Sequence, residues 1–197
     1  MNNSKTPSAI NNNKEDRREI EEDEEGRSDE WSPNFDWVTD HLATGGSFPG
    51  NRAAELAGAH GISAVVDLRE EECDDDVLLR SAGIKLLHLP TPDMEPARHD
   101  QLEEGVAFVR GVLAKGGKVL IHCEHGIGRS ALLTLCVLVD QGWQPLDALA
   151  HAKARRDLIS PCRSQYEGWA AWLCSRGLRP PDYHEFGCIA YRHLVSR

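Results

Sequence analysis

The chain has no run of the roughly 18 apolar residues that a membrane-crossing helix needs, and its first 30 residues lack the short apolar stretch of an export signal. No two cysteines stand in a C-x-x-C spacing. The six of them, Cys73, Cys123, Cys136, Cys162, Cys174 and Cys188, are scattered. Neither a zinc site nor a disulfide framework follows from that arrangement, and a reducing cytosol is the expected compartment. Basic residues are outnumbered, 22 Lys and Arg against 32 Asp and Glu, for a net charge of −10. There is no basic stripe, which argues against nucleic acid or an anionic membrane as the main partner. No internal repeat is present.

Apolar residues are also scarce between positions 1 and 30, where only Met1, Ala9, Ile10 and Ile20 stand out. This segment holds 10 acids and 5 bases, so about half of the net charge lies there. It cannot bury enough surface to offset its ordering entropy, and is expected to be a disordered acidic tail. The folded body is expected over residues 31–178, with 179–197 as a C-terminal extension.

Past Trp31, short apolar runs alternate with helical stretches, the pattern of an α/β domain with a central, mostly parallel twisted sheet flanked by helices. An edge strand is expected from Trp37 to Ala43, closed by Gly45-Gly46. A helix follows over Asn51–His60, then a buried strand over Ile62–Leu68, a short helix over Asp76–Ala82, and a strand over Ile84–Leu89 that Pro90 stops. Leu102, Val106, Val109 and Leu113 fall on one helical face between Arg98 and Lys115. Val119–Ile121 reads as the central strand and Ser130–Gln141 as a helix apolar nearly all round, hence buried. Helices over Pro145–Arg155 and Arg163–Cys174 complete the pattern. Residues 182–197 have no assigned place.

The chemistry concentrates in His122-Cys123-Glu124-His125-Gly126-Ile127-Gly128-Arg129-Ser130. Strand, tight loop and helix N-terminus gather backbone N–H groups around an anion. Such a setting favours a thiolate over a thiol, which makes Cys123 a nucleophile candidate. Residues Glu124 to Arg129 supply the phosphate-binding donors, and Arg129 offers a planar fork matched to two phosphate oxygens. Gly126 and Gly128 permit the curvature. Ser130 can assist the sulfur as a leaving group, or cap the helix. His122 can orient the loop through its ring.

A leaving oxygen needs a proton from elsewhere. Asp93 is the candidate acid, with Glu95 as its substitute, in the proline-stiffened stretch Pro90-Thr91-Pro92-Asp93-Met94-Glu95-Pro96. That stretch leaves the carboxyl end of a parallel strand, on the same side as the Cys123 loop. A neighbouring phosphate dianion favours the protonated carboxyl that an acid requires. The acidic stretch Glu70 to Asp76 reads as a solvated loop, or, if it lines the rim, as a feature favouring basic peptides. The five tryptophans read as packing.

Cys-x5-Arg-Ser after a histidine, with an aspartate some 30 residues upstream, resembles the cysteine-based protein tyrosine phosphatase superfamily, and within it the small dual-specificity phosphatases. The similarity runs from Phe35 to Trp172. It takes in Leu42-Ala43-Thr44-Gly45-Gly46, Val65-Val66-Asp67-Leu68-Arg69, the Asp93 loop, the signature, and Arg156 to Gln165. The resemblance implies a phosphocysteine at Cys123, phosphate binding by Arg129, an acid-then-base at Asp93, and a water-positioning role for Gln165 or Glu167. It implies no metal or organic cofactor. A monomer acting on a phosphorylated protein or a small phosphomonoester is expected. His125 and Glu124 depart from the family pattern, and Arg129 is the sole Lys or Arg from 123 to 130, which disfavours highly phosphorylated inositol lipids.

Three rival readings stay open. A sulfur-transfer or arsenate-reducing enzyme also uses a cysteine in an anion loop. A non-catalytic phosphoprotein-binding module would keep the fold and bind without turnover. An RNA 5′-phosphatase is disfavoured by the acidic body.

Overall fold

The computed structural model describes residues 31–195, so the expected disordered tail lies outside the described residues. A five-stranded sheet carries the body, in the order β1-β2-β5-β3-β4. The strands are β1 (Phe35–Trp37), β2 (Leu42–Gly45), β3 (Ile62–Arg69), β4 (Lys85–Thr91) and β5 (Lys118–His122). Only β1 runs antiparallel to its neighbour; β2, β5, β3 and β4 are parallel. The mostly parallel α/β sheet inferred from the alternating pattern is therefore the one observed.

Alternation along β3 shows how the layers form. Ala64, Val66 and Leu68 join the main core with Val119 and Ile121 of β5, while Val65 and Leu120 are buried outside that cluster. A strand whose both faces are covered reads as a continuous apolar run. Helices α1 (Ala53–Gly58) and α2 (Asp76–Ser81) contact β3, β4 and each other. Helices α3 (His99–Leu113) and α4 (Arg129–Asp140) also contact the sheet. Helices α5 (Pro145–Arg155) and α6 (Arg163–Ser175) pack on α4. Every α4 residue from Arg129 to Val139 is buried, as its all-round apolar sequence requires.

Three elements differ from the sequence reading. The expected strand over Trp37–Ala43 is two strands, because the chain reverses at Thr39–His41. Leu42 O accepts from the N–H groups of Val38 and Thr39, and Thr39 Oγ1 accepts from those of His41 and Leu42. A side-chain oxygen that mimics a backbone turn makes such a reversal. Pro90 does not stop β4, which continues to Thr91. β4 is an edge strand, where proline's missing N–H breaks no ladder bond. The unplaced end forms α7 (Tyr183–Ala190) and α8 (Arg192–Val195), with Phe186 and Ala190 buried in the main core. Among the described residues, no helix is long and apolar enough to cross a membrane.

Parallel pairing brings the carboxyl ends of β2, β5, β3 and β4 to one edge. The segments after them, 46–49, 123–128, 70–75 and 92–98, therefore face a common crevice.

Candidate active site

The loop after β5 is turned inside out by its neighbours. Its carbonyls, from Glu124 to Gly128, all accept from groups outside the curve. Glu124 O takes the N–H of Ser47, Ile127 O that of Ser160, and Gly128 O that of Leu132 in the first turns of α4. His125 O and Gly126 O both accept from the Arg156 guanidinium, at 2.9 Å each. Since C=O and N–H point in opposite directions across a planar peptide, outward carbonyls leave the loop's N–H groups facing inward. Gly126 sits at φ +71°, and a Cβ there would lie 2.3 Å from the carbonyl carbon of Gly45, so only glycine fits. α4 then begins at Arg129 with Gly128 as its N-cap and no side-chain cap, which leaves its first N–H groups for an anion. Ser130 lies within the helix and does not cap it. Its Oγ is 3.4 Å from Cys123 Sγ.

Cys123 is only 3% exposed, yet it borders a cavity of about 220 Å³ shared with Arg129, Asp93, His125, Ile127 and Gln165. Arg129 is buried, and its donors are almost fully assigned. Nη1 gives one hydrogen to Glu71 Oε2 at 2.7 Å and the other to Thr91 O at 3.0 Å; Nη2 gives one to Glu71 Oε1 at 2.7 Å. The Nε–H and the second Nη2–H remain. Together they form a side-on edge whose two parallel donors match two oxygens of a phosphate. Asp93 Oδ1 stands 3.4 Å from Nη2, at that same edge.

Beneath the loop, His122 is fully buried. Its Nδ1 lies 3.3 Å from Cys123 O and its Nε2 donates to Asp74 at 2.8 Å. Asp74 and Asp67 both accept from Arg69. Burial would raise the Asp67 carboxyl, but hydrogen bonds from Arg69 and the proximity of His122 carry it below its ordinary value. Potential ligand atoms of Asp67, Asp74 and His122 lie within 4.8 Å of one another. Arg69 donates to both carboxylates and His122 meets Asp74, so the group forms a hydrogen-bonded ion-pair network.

Glu124 turns its side chain toward Arg69, at 3.6 Å, and away from the cavity. Gln165 borders the cavity. Its Oε1 accepts from Cys162 N at 2.9 Å, and its Nε2 donates to Glu95 O at 3.3 Å. Glu167 instead pairs with Arg163 on an exposed face.

The comparisons with known proteins agree with this geometry. A family model described as "Polymorphic toxin system, DSP-PTPase phosphatase" matches residues 48–143. Phosphatidylglycerophosphatase and protein-tyrosine phosphatase 1 of Mus musculus is 30% identical over 142 residues, covering 67% of this chain and 74% of that protein. The chain belongs to the cysteine-based protein tyrosine phosphatase superfamily, in its dual-specificity branch. Dual specificity protein phosphatase 2 of Mus musculus is 42% identical over 60 residues, 30% of this chain and only 19% of that protein. The solved structure of Tk-PTP in its active form has TM-score 0.66 and 26% identity, covering 72% of this chain and 97% of that one.

Two residues of this dual-specificity domain escaped the sequence reading. Glu71 belongs to the acidic stretch expected as a solvated loop or a rim, and its carboxylate holds Arg129 by both terminal nitrogens. One sequence signal marks it: it follows β3, the neighbour of β5, at the crevice edge. Arg156 lies in the stretch that carries the family similarity, with no role of its own marked there. It is 4% exposed and also bonds Asn34 and Asp36 of the first strand region. No periodicity marks it.

Proposed function

We propose that this protein hydrolyses phosphate monoesters on proteins, phosphotyrosine foremost and phosphoserine or phosphothreonine in addition, through a cysteinyl-phosphate. One observation carries the reading. The inward N–H groups of residues 125–129 and the free side-on edge of Arg129 surround one cavity with Cys123 at its boundary. A phosphoryl group placed there has its charge neutralised by donors already in position.

In the first step the Cys123 thiolate attacks phosphorus, the bond to the leaving oxygen breaks, and Asp93 gives that oxygen its proton. In the second step Asp93 takes a proton from water, and the oxygen of that water attacks phosphorus. The P–S bond breaks and phosphate leaves. Ser130 Oγ, behind the sulfur, donates to it as it departs. Gln165 supplies a polar group beside the path of the water. Asp93 borders the cavity, which favours it over Glu95 as the acid.

The test follows hydrolysis of an aryl phosphate by the native chain, Cys123→Ser and Asp93→Asn. Cys123→Ser abolishes turnover. Asp93→Asn slows it about 100-fold or more and removes the alkaline fall of its pH profile. Turnover retained in Cys123→Ser overturns the mechanism.

A second reading has its own support. The relative aligned over 67% of this chain has phosphatidylglycerophosphatase in its name, which suggests a glycerophosphate ester as substrate. The acids near the loop, Glu71, Glu72, Glu124 and Asp93, oppose an anionic headgroup in an anionic membrane. A panel of phosphopeptides against phosphatidylglycerol phosphate separates the two.

A further inference from the structure

The Asp93 loop is tied to the start of α6 by contacts the reaction itself does not need. Met94 has φ +63°, the one non-glycine residue with positive φ among the described residues, and its side chain is 60% exposed. An L-residue holds that conformation only when its surroundings impose it. Here they do so at its carbonyl. Met94 O accepts from Cys162 Sγ at 3.1 Å and from Ser164 Oγ. The next carbonyl, Glu95 O, accepts from Gln165 Nε2. Pro96 then packs so closely on α6 that a Cβ at Gly168 would sit 2.4 Å from it.

The side chain of Asp93 has no comparable anchor. It is 72% exposed and meets Arg129 at 3.4 Å, on the edge that a phosphate must take. Substrate binding thus displaces the contact between the acid and Arg129. From then on the acid's position depends on its backbone, and the nearest backbone anchor is Met94 O. We infer that Cys162 and Ser164, at the N-terminus of α6, are positioning residues that latch the acid loop over the cavity in the substrate complex. This inference rests on the phosphatase reading of the site. Cys162 borders the same cavity, but its Sγ is turned to Met94 O and Ser164 Oγ, so both residues act through the Asp93 loop. The latch matters after substrate has bound, so it governs kcat more than KM.

The test compares Cys162→Ala/Ser164→Ala with Cys162→Ser, which keeps a donor on the same stem. Two esters are used, one with a good aryl leaving group and phenyl phosphate with a poor one, because loss of acid assistance weighs most on the poor leaving group. The double alanine variant is expected to lose about tenfold in kcat on phenyl phosphate with KM nearly unchanged. It should lose much less on the activated ester, and Cys162→Ser should stay close to native. Amide hydrogen exchange over residues 93–96 should quicken in the double variant, a readout independent of turnover. Equal losses on both esters, unchanged exchange, or a Cys162→Ser variant as impaired as the double alanine variant overturns the latch while leaving the phosphatase reading intact. A native chain inert toward both esters overturns that reading and the latch's catalytic role with it.

Discussion

Glu71 grips Arg129 by both terminal nitrogens, each 2.7 Å from a carboxylate oxygen, and so leaves the Nε edge of the guanidinium free at the cavity that Cys123 also borders. The two residues are 58 positions apart in the chain. Glu71 is expected to matter for catalysis by aiming Arg129, with no contact to substrate. Glu71→Gln should lower kcat/KM about tenfold, read by steady-state hydrolysis.

The same pair sets an acid limit on stability. The hydrogen bonds from Arg129 hold the Glu71 carboxyl down from 4.5 to about 2. A carboxyl depressed in the folded state contributes its full stabilisation above about pH 4.5 and loses it as pH falls toward 2. The Glu71 side chain is 45% exposed, so the contribution is screened and small. Glu71→Gln should flatten the loss of thermal stability across that window, with little change at neutral pH.

Arg156→Met should leave the carbonyls of His125 and Gly126 without donors and free them to turn inward. Destabilisation of about 2–4 kcal/mol is expected, with the N–H cradle lost. Orthovanadate should raise the melting temperature of the native chain and fail to do so for the variant. Arg156→Lys should recover little, since an ammonium cannot reach the four acceptors that the planar fork reaches.

Gly126→Ala meets both a left-handed φ and a blocking backbone carbon. At least about 2 kcal/mol of destabilisation is expected, together with loss of activity. Gly111→Ala is the control. Gly111 lies on the exposed face of α3 with nothing within 4 Å of the added methyl, and a gain of roughly 0.5–1 kcal/mol follows from helix propensity. Urea denaturation reads both.

Ser130→Ala removes the hydroxyl 3.4 Å from Cys123 Sγ. The P–S bond then breaks without a donor to the departing sulfur. Breakdown of the phosphocysteine should become rate-limiting, giving a pre-steady-state burst of the leaving alcohol and about tenfold lower kcat.

Much of the fold could be read because it is written locally. The apolar run at Val65-Val66, the helical spacing of Leu102, Val106 and Val109, and the all-apolar α4 each carry their period in a few consecutive residues. The errors arose where pairing overrode local signals. The hairpin at Thr39–His41 depends on one hydroxyl and on where β2 finds β5. Pro90 is harmless because, among the described residues, no strand pairs beyond β4.

The chain of residues alone specified the candidate reactive centre: a thiol, five residues, a guanidinium and a serine, with glycine where the loop needs a left-handed turn. Those features are contiguous, so covalent spacing carries them. Which way the carbonyls face, which edge of Arg129 stays free, and where the acid loop is tied were decided only in three dimensions. Arg156, Glu71 and Cys162 come from other elements, and buried donors and acceptors choose partners by proximity after folding, with no sequence period to announce them.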